Sequence, residues 1–304
     1  STLRGITKGF PRMRPLASSE LIINDRGAVY HLDLRPEELA PTVICVGDPA
    51  RVRMISDHFD AVEYRRQHRE FITHTGQLGN KRFSVISTGI GPDNIDIAFN
   101  ELDALVNIDL ETRTVREEHR ALRIVRFGTS GSLQADIPVD SLVVSTHGLG
   151  LDNLLHFYRF ENHPEEQQIL QALEMHTRLQ QRVTVPYLFS GSAHLQRHFG
   201  PEFHHGITAT CPGFYGPQGR VLRLGLKYPE LNELLSSFRF GPHRITNFEM
   251  ETSAIYGLGR LLGHHCLSLN VIVANRVTGT FSSDHQAAVS DLIRKGLDVL
   301  SAIP

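Results

Sequence analysis

Two stretches of the chain run from apolar residues directly into glycine, hydroxyl and arginine residues. The stretch G-D-P-A-R offers Gly47 and Arg51, and the stretch R-F-G-T-S-G offers Arg126 and Thr129. Glycine lets the backbone approach a ligand, and guanidinium, hydroxyl and N–H groups donate hydrogen bonds to anions. Together they predict a site for one small anion such as phosphate. For the first stretch alone, a turn in which Asp48 caps a helix is an equal alternative.

A third junction, S-T-G-I-G-P-D-N at 87–94, matches a dinucleotide-binding loop only in part. It has two of that loop's three glycines, and no acidic residue downstream stands where it would bind a ribose. A nicotinamide cofactor is therefore not indicated. We expect Asp93 or Asn94 to cap the helix that follows.

Two later segments offer groups for a flat polar ring and for a sugar. In F-Y-G-P-Q-G-R, Phe214 supplies an aromatic face, and Gln218 and Arg220 supply donors and acceptors for the edge of a heterocycle. An ordinary Gly-Pro loop is the alternative. The segment N-F-E-M-E at 247–251 is predicted to open an amphipathic helix. Its carboxylates either serve the helix dipole or accept hydrogen bonds from sugar hydroxyls in a cleft.

The elements that must position these groups alternate along the chain. Short apolar runs predict buried strands, and apolar residues at helical spacing predict helices. The strands are expected at 43–46, 83–86, 123–127, 142–144 and 269–273, and the helices at 95–106, at 254–262 before Gly263, and after Asp284. The alternation predicts an α/β domain at 28–304 after a loosely held arm at 1–27, with 110–122 as a solvated excursion. Ligands of such sheets bind beyond the carboxyl ends of strands.

Composition narrows the class of protein. The 304 residues are 40% hydrophobic and 21% charged, and 31 Lys and Arg against 33 Asp and Glu leave a formal charge of −2. This balance gives no global field for nucleic acid or an acidic membrane, and no run is long enough to span a bilayer. Three scattered cysteines and a start without a secretory signal predict a soluble cytoplasmic protein. The 17 histidines show no H-E-x-x-H pattern, so we expect no metal.

Six motifs occur in a fixed order: G-D-P-x-R, H-R-E-F, R-x-G-T-[ST]-G, F-Y-x-x-Q-x-R, E-M-E and N-R. In this order they resemble the nucleoside phosphorylase superfamily, and within it the uridine phosphorylases, from Tyr30 to about Leu300. The resemblance implies a single-domain three-layer α/β/α fold with a mixed central sheet. It also implies an enzyme that cleaves a nucleoside with phosphate as co-substrate and without a cofactor. The resemblance further implies self-association into a dimer or hexamer.

The resemblance assigns roles to the matching residues. It implies phosphate binding by Gly47, Arg51, Arg126 and Thr129, completed by Arg69 from a neighbouring subunit. It places His31 at the ribose 5′-hydroxyl, again across the interface, Met250 under the ribose, Glu251 at the 2′-hydroxyl and Glu249 nearby. It places Gln218 and Arg220 at the polar edge of uracil, with Phe214 and Gly131 beside the ring.

Charge then explains the chemistry that this arrangement implies. Breaking the N-glycosidic bond leaves positive character on the sugar and negative character on the departing uracil. Phosphate bound by Arg126 stabilises the positive charge on the sugar, and Gln218 with Arg220 stabilises the negative charge on uracil. Uracil leaves as a stabilised anion, so neither a covalent nucleophile nor a general acid is required, and catalysis is mostly positioning.

The sequence leaves the preferred base and the reaction type open. Purine-cleaving relatives protonate the base with an aspartate at the end of a late strand, whereas this chain has V-A-N-R at 273–276, which favours a pyrimidine; Asp284 is better explained as a helix cap. Some relatives hold a monovalent cation at the position of Glu70, but Asn94 replaces its hydroxyl partner. The alternatives are a purine nucleoside phosphorylase, a nucleoside hydrolase, or a nucleoside-binding protein without turnover.

Overall fold

A computed structural model describes residues 14–304, in which thirteen strands alternate with eight α-helices. The strands are β1 (Thr42–Val46), β2 (Ala61–His68), β3 (Phe71–Leu78), β4 (Lys81–Ser87), β5 (Ile108–Asp109), β6 (Thr114–Val115), β7 (Arg123–Ser132), β8 (Leu142–Gly150), β9 (Tyr187–Ser190), β10 (His204–Thr210), β11 (Ile245–Glu249), β12 (His265–Asn275) and β13 (Thr280–Phe281). The helices are α1 (Pro49–Ser56), α2 (Pro92–Asn107), α3 (Pro164–Thr177), α4 (Leu179–Arg182), α5 (Ala193–Gln196), α6 (Leu231–Ser237), α7 (Thr252–Leu262) and α8 (His285–Ala302).

Eleven of these strands form one mixed sheet in the order β13-β12-β8-β10-β11-β7-β1-β4-β3-β2, with β9 paired to β8. A further parallel pairing joins β12 to β7 along nearly their whole length. Because of this pairing, β7, β12, β8, β10 and β11 close on themselves as a ring, and the other strands extend from it.

The direction of two strands beside β7 decides where a ligand can bind. β1 runs parallel to β7, and its Cys45 lies beside Arg126. β11 runs antiparallel to β7, and its Phe248 lies opposite Gly131. The carboxyl ends of β1 and β11 therefore approach each other along the second half of β7, and the segments that follow both strands share one edge.

Helices cover both faces of the sheet. In β1, Val43 and Cys45 pack with apolar residues of α2 and α7, whereas Ile44 and Val46 pack with those of α1 and α8. A third apolar cluster joins α3 and α6 to strands β8 to β11. The three-layer α/β/α fold with a mixed central sheet is therefore confirmed. None of the helices in 14–304 is long and apolar enough to cross a bilayer.

The predicted strands and helices are present, but two local predictions are wrong. Residues 247–249 do not open a helix: they lie in β11, where Asn247 pairs with Ser132, and α7 begins only at Thr252. Helix α2 is not capped by Asp93 or Asn94: its N-cap is Gly91, and the Asn94 amide donates to the carbonyl of Thr88 instead. In β11 a long-range strand pairing replaces the predicted helix, and at α2 the side chain of Asn94 bonds back to the preceding loop and does not cap the helix.

Part of the N-terminal arm predicted at 1–27 can be followed. Residues 1–13 lie outside the described residues, whereas Leu21 is buried against the domain. The Leu16 N–H donates to the carbonyl of Arg113, and the Arg113 guanidinium donates to the carbonyl of Leu21. The excursion at 110–122, which includes β6, thus holds residues 14–27 in place.

Candidate active site

A cleft of about 540 Å³ opens where the ends of β1 and β11 meet along β7. Its remaining walls come from the segment after β4, the end of β12 and the loop after β10. It brings together eleven residues that the motifs single out, namely Gly47, Arg51, Arg126, Thr129, Gly131, Phe214, Gln218, Arg220, Glu249, Met250 and Glu251.

Arg126, on β7, is enclosed by polar partners at one end of this cleft. It is only 5% exposed. Its Nη1 donates to Asn270 Oδ1 at 2.7 Å, and its Nη2 donates to Glu251 Oε1 at 3.2 Å and lies 3.4 Å from Glu249 Oε2. Burial opposes the charge, but the two carboxylates outweigh burial and raise the pKa of Arg126. The guanidinium is therefore held charged and in one orientation.

Gly128 gives this guanidinium its space. A Cβ added at Gly128 would lie 2.0 Å from Nη1 of Arg126 and 2.2 Å from its Cζ. Distances this short are overlaps, so any larger residue would displace the arginine. The glycine in R-x-G-T is thus required by close approach of a side chain to the backbone.

Arg51 is a second cation beside Arg126. None of the ion pairs within residues 14–304 involves it. Burial, and then the charge of Arg126, lower the pKa of Arg51. Asp48 does cap α1, accepting the N–H of Ala50, and Arg51 borders the cleft all the same. Two neighbouring guanidinium groups, one of which forms no ion pair in the described part of the chain, attract an anion.

Small residues let the walls of the cleft come close together between its ends. A Cβ at Gly131 would lie 2.9 Å from the Phe248 ring, and a Cβ at Gly47 would lie 3.4 Å from the carbonyl oxygen of Gly89. Thr129, half-buried on β7, borders the cleft near Arg51 and Arg126. These positions leave backbone and one hydroxyl exposed to a ligand.

Two buried carboxylates lie at the carboxyl end of β11, Glu249 as its last residue and Glu251 just beyond it. Glu249 accepts the Thr210 hydroxyl at 2.7 Å and the Glu251 N–H at 2.8 Å. Glu251, the N-cap residue of α7, accepts the Gly91 N–H at 3.1 Å. Burial raises the pKa of Glu251, and the charge of Arg126 opposes that rise. With half-buried Met250 between them, they form a wall of fixed acceptors beside an apolar surface, which suits a sugar.

The opposite end of the cleft is a loop. Gln218 is buried, but Phe214 is 49% exposed. Nη1 of Arg220 donates to Gln218 Oε1 at 2.8 Å and to the Phe214 carbonyl at 2.6 Å, and its guanidinium carbon lies 3.8 Å from the Phe214 ring centroid. Burial, and then the charge of Arg276, lower the pKa of Arg220. The amide and guanidinium are fixed relative to each other, and Arg220 covers one face of Phe214.

Asn275 is the last residue of β12 and directly follows Val273 and Ala274, which line the cleft, and its side chain is fully engaged. It is 1% exposed. Its Nδ2 donates to two backbone carbonyls at 2.9 and 3.0 Å, and its Oδ1 accepts two backbone N–H groups at 3.0 Å. It has no hydrogen left to offer a base. Asp284 accepts the Ala287 N–H and caps α8, as predicted.

Three residues named from the motifs lie outside the cleft. His31 Nδ1 is 2.5 Å from Glu101 Oε2, and Arg69 is exposed with its guanidinium carbon 6.0 Å from the Tyr30 ring centroid. Neither borders the cleft within this chain. Glu70 is also exposed.

The sequence did not reveal three features of the molecule. Asn270, which orients Arg126, is a polar residue inside an apolar run, and that was the available signal. Arg276 donates to the Gln218 carbonyl at 2.7 Å and so ties the loop to β12, and the N-R motif contained it. His147, Glu165 and His243 come together far from each other in sequence, and no local pattern connects them.

Comparison with known proteins agrees with this geometry. The family model of the phosphorylase superfamily matches residues 41–303. A uridine phosphorylase of Thermococcus kodakarensis is 28% identical over 93% of this chain and 91% of its own, and a DeoD-type purine nucleoside phosphorylase of Streptococcus suis is 25% identical over 90% and 98%.

A solved structure is similar along the same length. It is a Trypanosoma brucei nucleoside phosphorylase described as showing uridine phosphorylase activity, with a TM-score of 0.85, 31% identity, and coverage of 93% of this chain and 100% of that one. A family match over most of the chain and a structural match at this identity lead to the same conclusion. The chain belongs to the phosphorylase superfamily.

Proposed function

We propose that this protein is a uridine phosphorylase, which converts uridine and phosphate reversibly into uracil and ribose 1-phosphate. The observation that carries the proposal is one cleft with arginines at both ends and two buried carboxylates between them. The Thermococcus and Trypanosoma relatives, which bear that activity in their descriptions, support it.

Phosphate is the ligand that best fits the Arg126 end. Arg126 is neutralised by its two carboxylates, but Arg51 has a pKa lowered by burial and no carboxylate partner within 14–304. A dianion supplies the missing charge, and Thr129 and the backbone at Gly47 add donors. Phosphate bound there attacks C1′ of the ribose while the bond from C1′ to N1 of the base breaks.

The opposite end receives the electron pair that leaves with the base. Gln218 has an amide N–H₂ to donate and an oxygen with a second lone pair, so it can meet a carbonyl and an N–H of uracil at once. Burial lowers the pKa values of Arg220 and Arg276, so a negative charge that develops on the base stabilises their charged forms. Glu249 and Glu251 accept the ribose hydroxyls, with Met250 beneath the ring.

Pyrimidine preference follows from the state of Asn275. A purine leaving group benefits from a proton at N7, and the side chain at this position spends its hydrogens on backbone carbonyls. Uracil needs no such proton. This preference supports a role in pyrimidine salvage. The three cysteines are free and buried, which fits the reducing environment of the cytoplasm.

We also propose that the enzyme acts as a dimer or hexamer. His31 and Arg69 lie outside the cleft of their own chain, so a neighbouring copy is required if they are to reach the ribose 5′-hydroxyl and the phosphate. Arg69 is exposed and free to do so. Arg69→Ala should then raise the KM for phosphate, and mixing it with Arg126→Ala protein should restore part of the activity in shared sites.

One assay tests the function itself. Uracil release from uridine is followed by chromatography with and without phosphate, and inosine is offered in parallel. We expect release that depends on phosphate, yields ribose 1-phosphate, and is much slower for inosine. Release without phosphate would indicate a hydrolase, inosine preference a purine enzyme, and uridine binding without release a binding protein, and each would reject the proposal.

A further inference from the structure

A second cluster of functional side chains lies away from the cleft. His147 is on β8, Glu165 is in the first turn of α3, and His243 precedes β11. One ligand atom from each lies within 4.8 Å of the others, and none of the three borders the cleft. We propose that they form a binding site for Zn²⁺ or a similar imidazole-preferring divalent metal.

The distances match those between neighbouring ligands of one metal ion. Nε2 of His147 and Nε2 of His243 each lie 3.3 Å from the same oxygen, Oε1 of Glu165. Tetrahedral zinc with bonds of about 2.0–2.1 Å requires neighbouring ligand atoms about 3.3 Å apart. An ordinary N–H···O hydrogen bond is shorter, about 2.9 Å. Two edges of one face of a tetrahedron are therefore matched, and the two imidazoles, whose ligand atoms lie within 4.8 Å of each other, supply the third.

The two rings approach this oxygen from different directions. Their planes are nearly perpendicular, at 89°, with centroids 5.2 Å apart. On the far side of the His147 ring, Nδ1 lies 3.0 Å from the Thr146 hydroxyl, an outer contact of the kind that fixes the orientation of metal-binding histidines. The ring is thus set in place before a metal arrives.

Burial differs among the three residues in a useful way. The His147 side chain is 7% exposed, whereas that of Glu165 is 59% exposed. The exposed carboxylate leaves a path for the metal and room for water as the fourth ligand.

The position points to a structural metal. The three residues belong to a strand, a helix and the turn before β11, and β11 ends at Glu249 in the cleft. A bound ion would connect α3 and the start of β11 to β8. We expect it to stabilise the fold and to take no part in phosphorolysis, so its presence does not depend on the function proposed above.

Metal binding is tested on the untagged, full-length protein after treatment with a chelator. Zn²⁺ is titrated calorimetrically, and Co²⁺ is added separately to record the visible absorption of a tetrahedral complex. Thermal melts are taken with and without Zn²⁺. We expect one equivalent of Zn²⁺ per chain, tetrahedral Co²⁺ bands, and a melting temperature that rises with Zn²⁺.

Variants distinguish this site from the other histidines. Glu165→Gln and His243→Asn change exposed or half-buried positions and should fold. Each should weaken Zn²⁺ binding at least tenfold, in the range seen when metal-site partners are removed, and abolish the thermal shift. His119→Asn, an exposed histidine elsewhere, should change neither. Failure of the wild type to bind one equivalent, or wild-type affinity in both variants, would overturn the proposal; uridine assays are not involved, so the proposed function would be unaffected.

Discussion

The two ends of the cleft are built in different ways. At the end proposed to bind phosphate, called the phosphate end below, Arg126 is 5% exposed and is held by Asn270 of β12 and by Glu251, which follows β11. At the end proposed to bind the base, called the base end below, Phe214 is 49% exposed, and Arg220 is held by a backbone carbonyl and an amide of its own loop. The contacts that form the first end also hold the sheet together, whereas the second end can change while the sheet stays intact. Stability and catalysis should therefore be coupled at one end and separable at the other.

Arg126→Ala should have the largest effect of any single change. It removes the cation shared by Glu249 and Glu251 and leaves two buried carboxylates unpaired, which costs about 3–5 kcal/mol of unfolding free energy. Loss of a charged group that holds the attacking anion should lower kcat/KM by about 10³-fold. Denaturant unfolding and steady-state kinetics measure the two effects.

Arg51→Ala is the matched control at the same end. Removing this second phosphate ligand should lower kcat/KM by about 10²-fold or more. Because Arg51 makes no ion pair within 14–304, the melting temperature should stay close to that of the wild type. Near-normal turnover in both variants would reject this phosphate site. Equal destabilisation by both variants would contradict the claim that Arg126, and not Arg51, couples the stability of the sheet to catalysis.

At the base end, Arg220→Met should reduce activity without unfolding the protein. Removing one donor to the leaving uracil should lower kcat/KM for uridine by about 10²-fold. The KM for phosphate and the unfolding free energy should change little, because the hydrogen bonds of Arg220 within residues 14–304 stay within its own loop. A loss of stability comparable to that of Arg126→Ala would contradict the separation of the two ends.

Gly128→Ala tests the phosphate end through packing alone. The added methyl group overlaps the Arg126 guanidinium, so we expect about 1–3 kcal/mol of destabilisation and a several-fold rise in the KM for phosphate. Gly225→Ala is the control in the loop at the base end, where an added Cβ meets nothing within 4 Å. That variant should resemble the wild type in both measurements.

The smallest predicted effect is a pH dependence at Glu251. Because burial raises the pKa of Glu251, this carboxylate takes up a proton at a higher pH than an ordinary glutamate. As pH falls through that raised pKa, the 2′-hydroxyl loses its charged acceptor and faces a neutral carboxyl group, which accepts more weakly. The ratio of kcat/KM for uridine to that for 2′-deoxyuridine should therefore fall on acidification. The titration of phosphate is common to both substrates and cancels in the ratio, and a ratio constant with pH would exclude this role.

Much of the fold was predictable because the buried strands are strongly apolar. The run at 43–46 and the cap at Gly263 follow from residue type alone, and the structure contains both. The strand at 247–249 could not be predicted from residue type, because it forms by pairing with Ser132 and Gly131, which come from a distant part of the chain. The closure of β12 onto β7 has the same origin.

The candidate site was predictable to the extent that its residues lie next to strand ends. Arg51 and Arg126 could be named because each sits beside glycine at such a junction. Arg276 and Asn270 act by orienting other side chains, and only the packed structure reveals which ones. The cluster of His147, Glu165 and His243 is created entirely by topology, since its members share no local pattern.

The hydrogen bonds of Asn275 limit how this scaffold could be redesigned for purines. Exchanging this residue for an aspartate, the change that a comparison of motifs would suggest, places carboxylate oxygens against two backbone carbonyls that now receive its N–H₂ group. Like-charged atoms would face each other in a buried space, and the loop that Asn275 holds would move. A new base preference therefore needs a rebuilt loop around the end of β12, and directed evolution that samples only this position should fail.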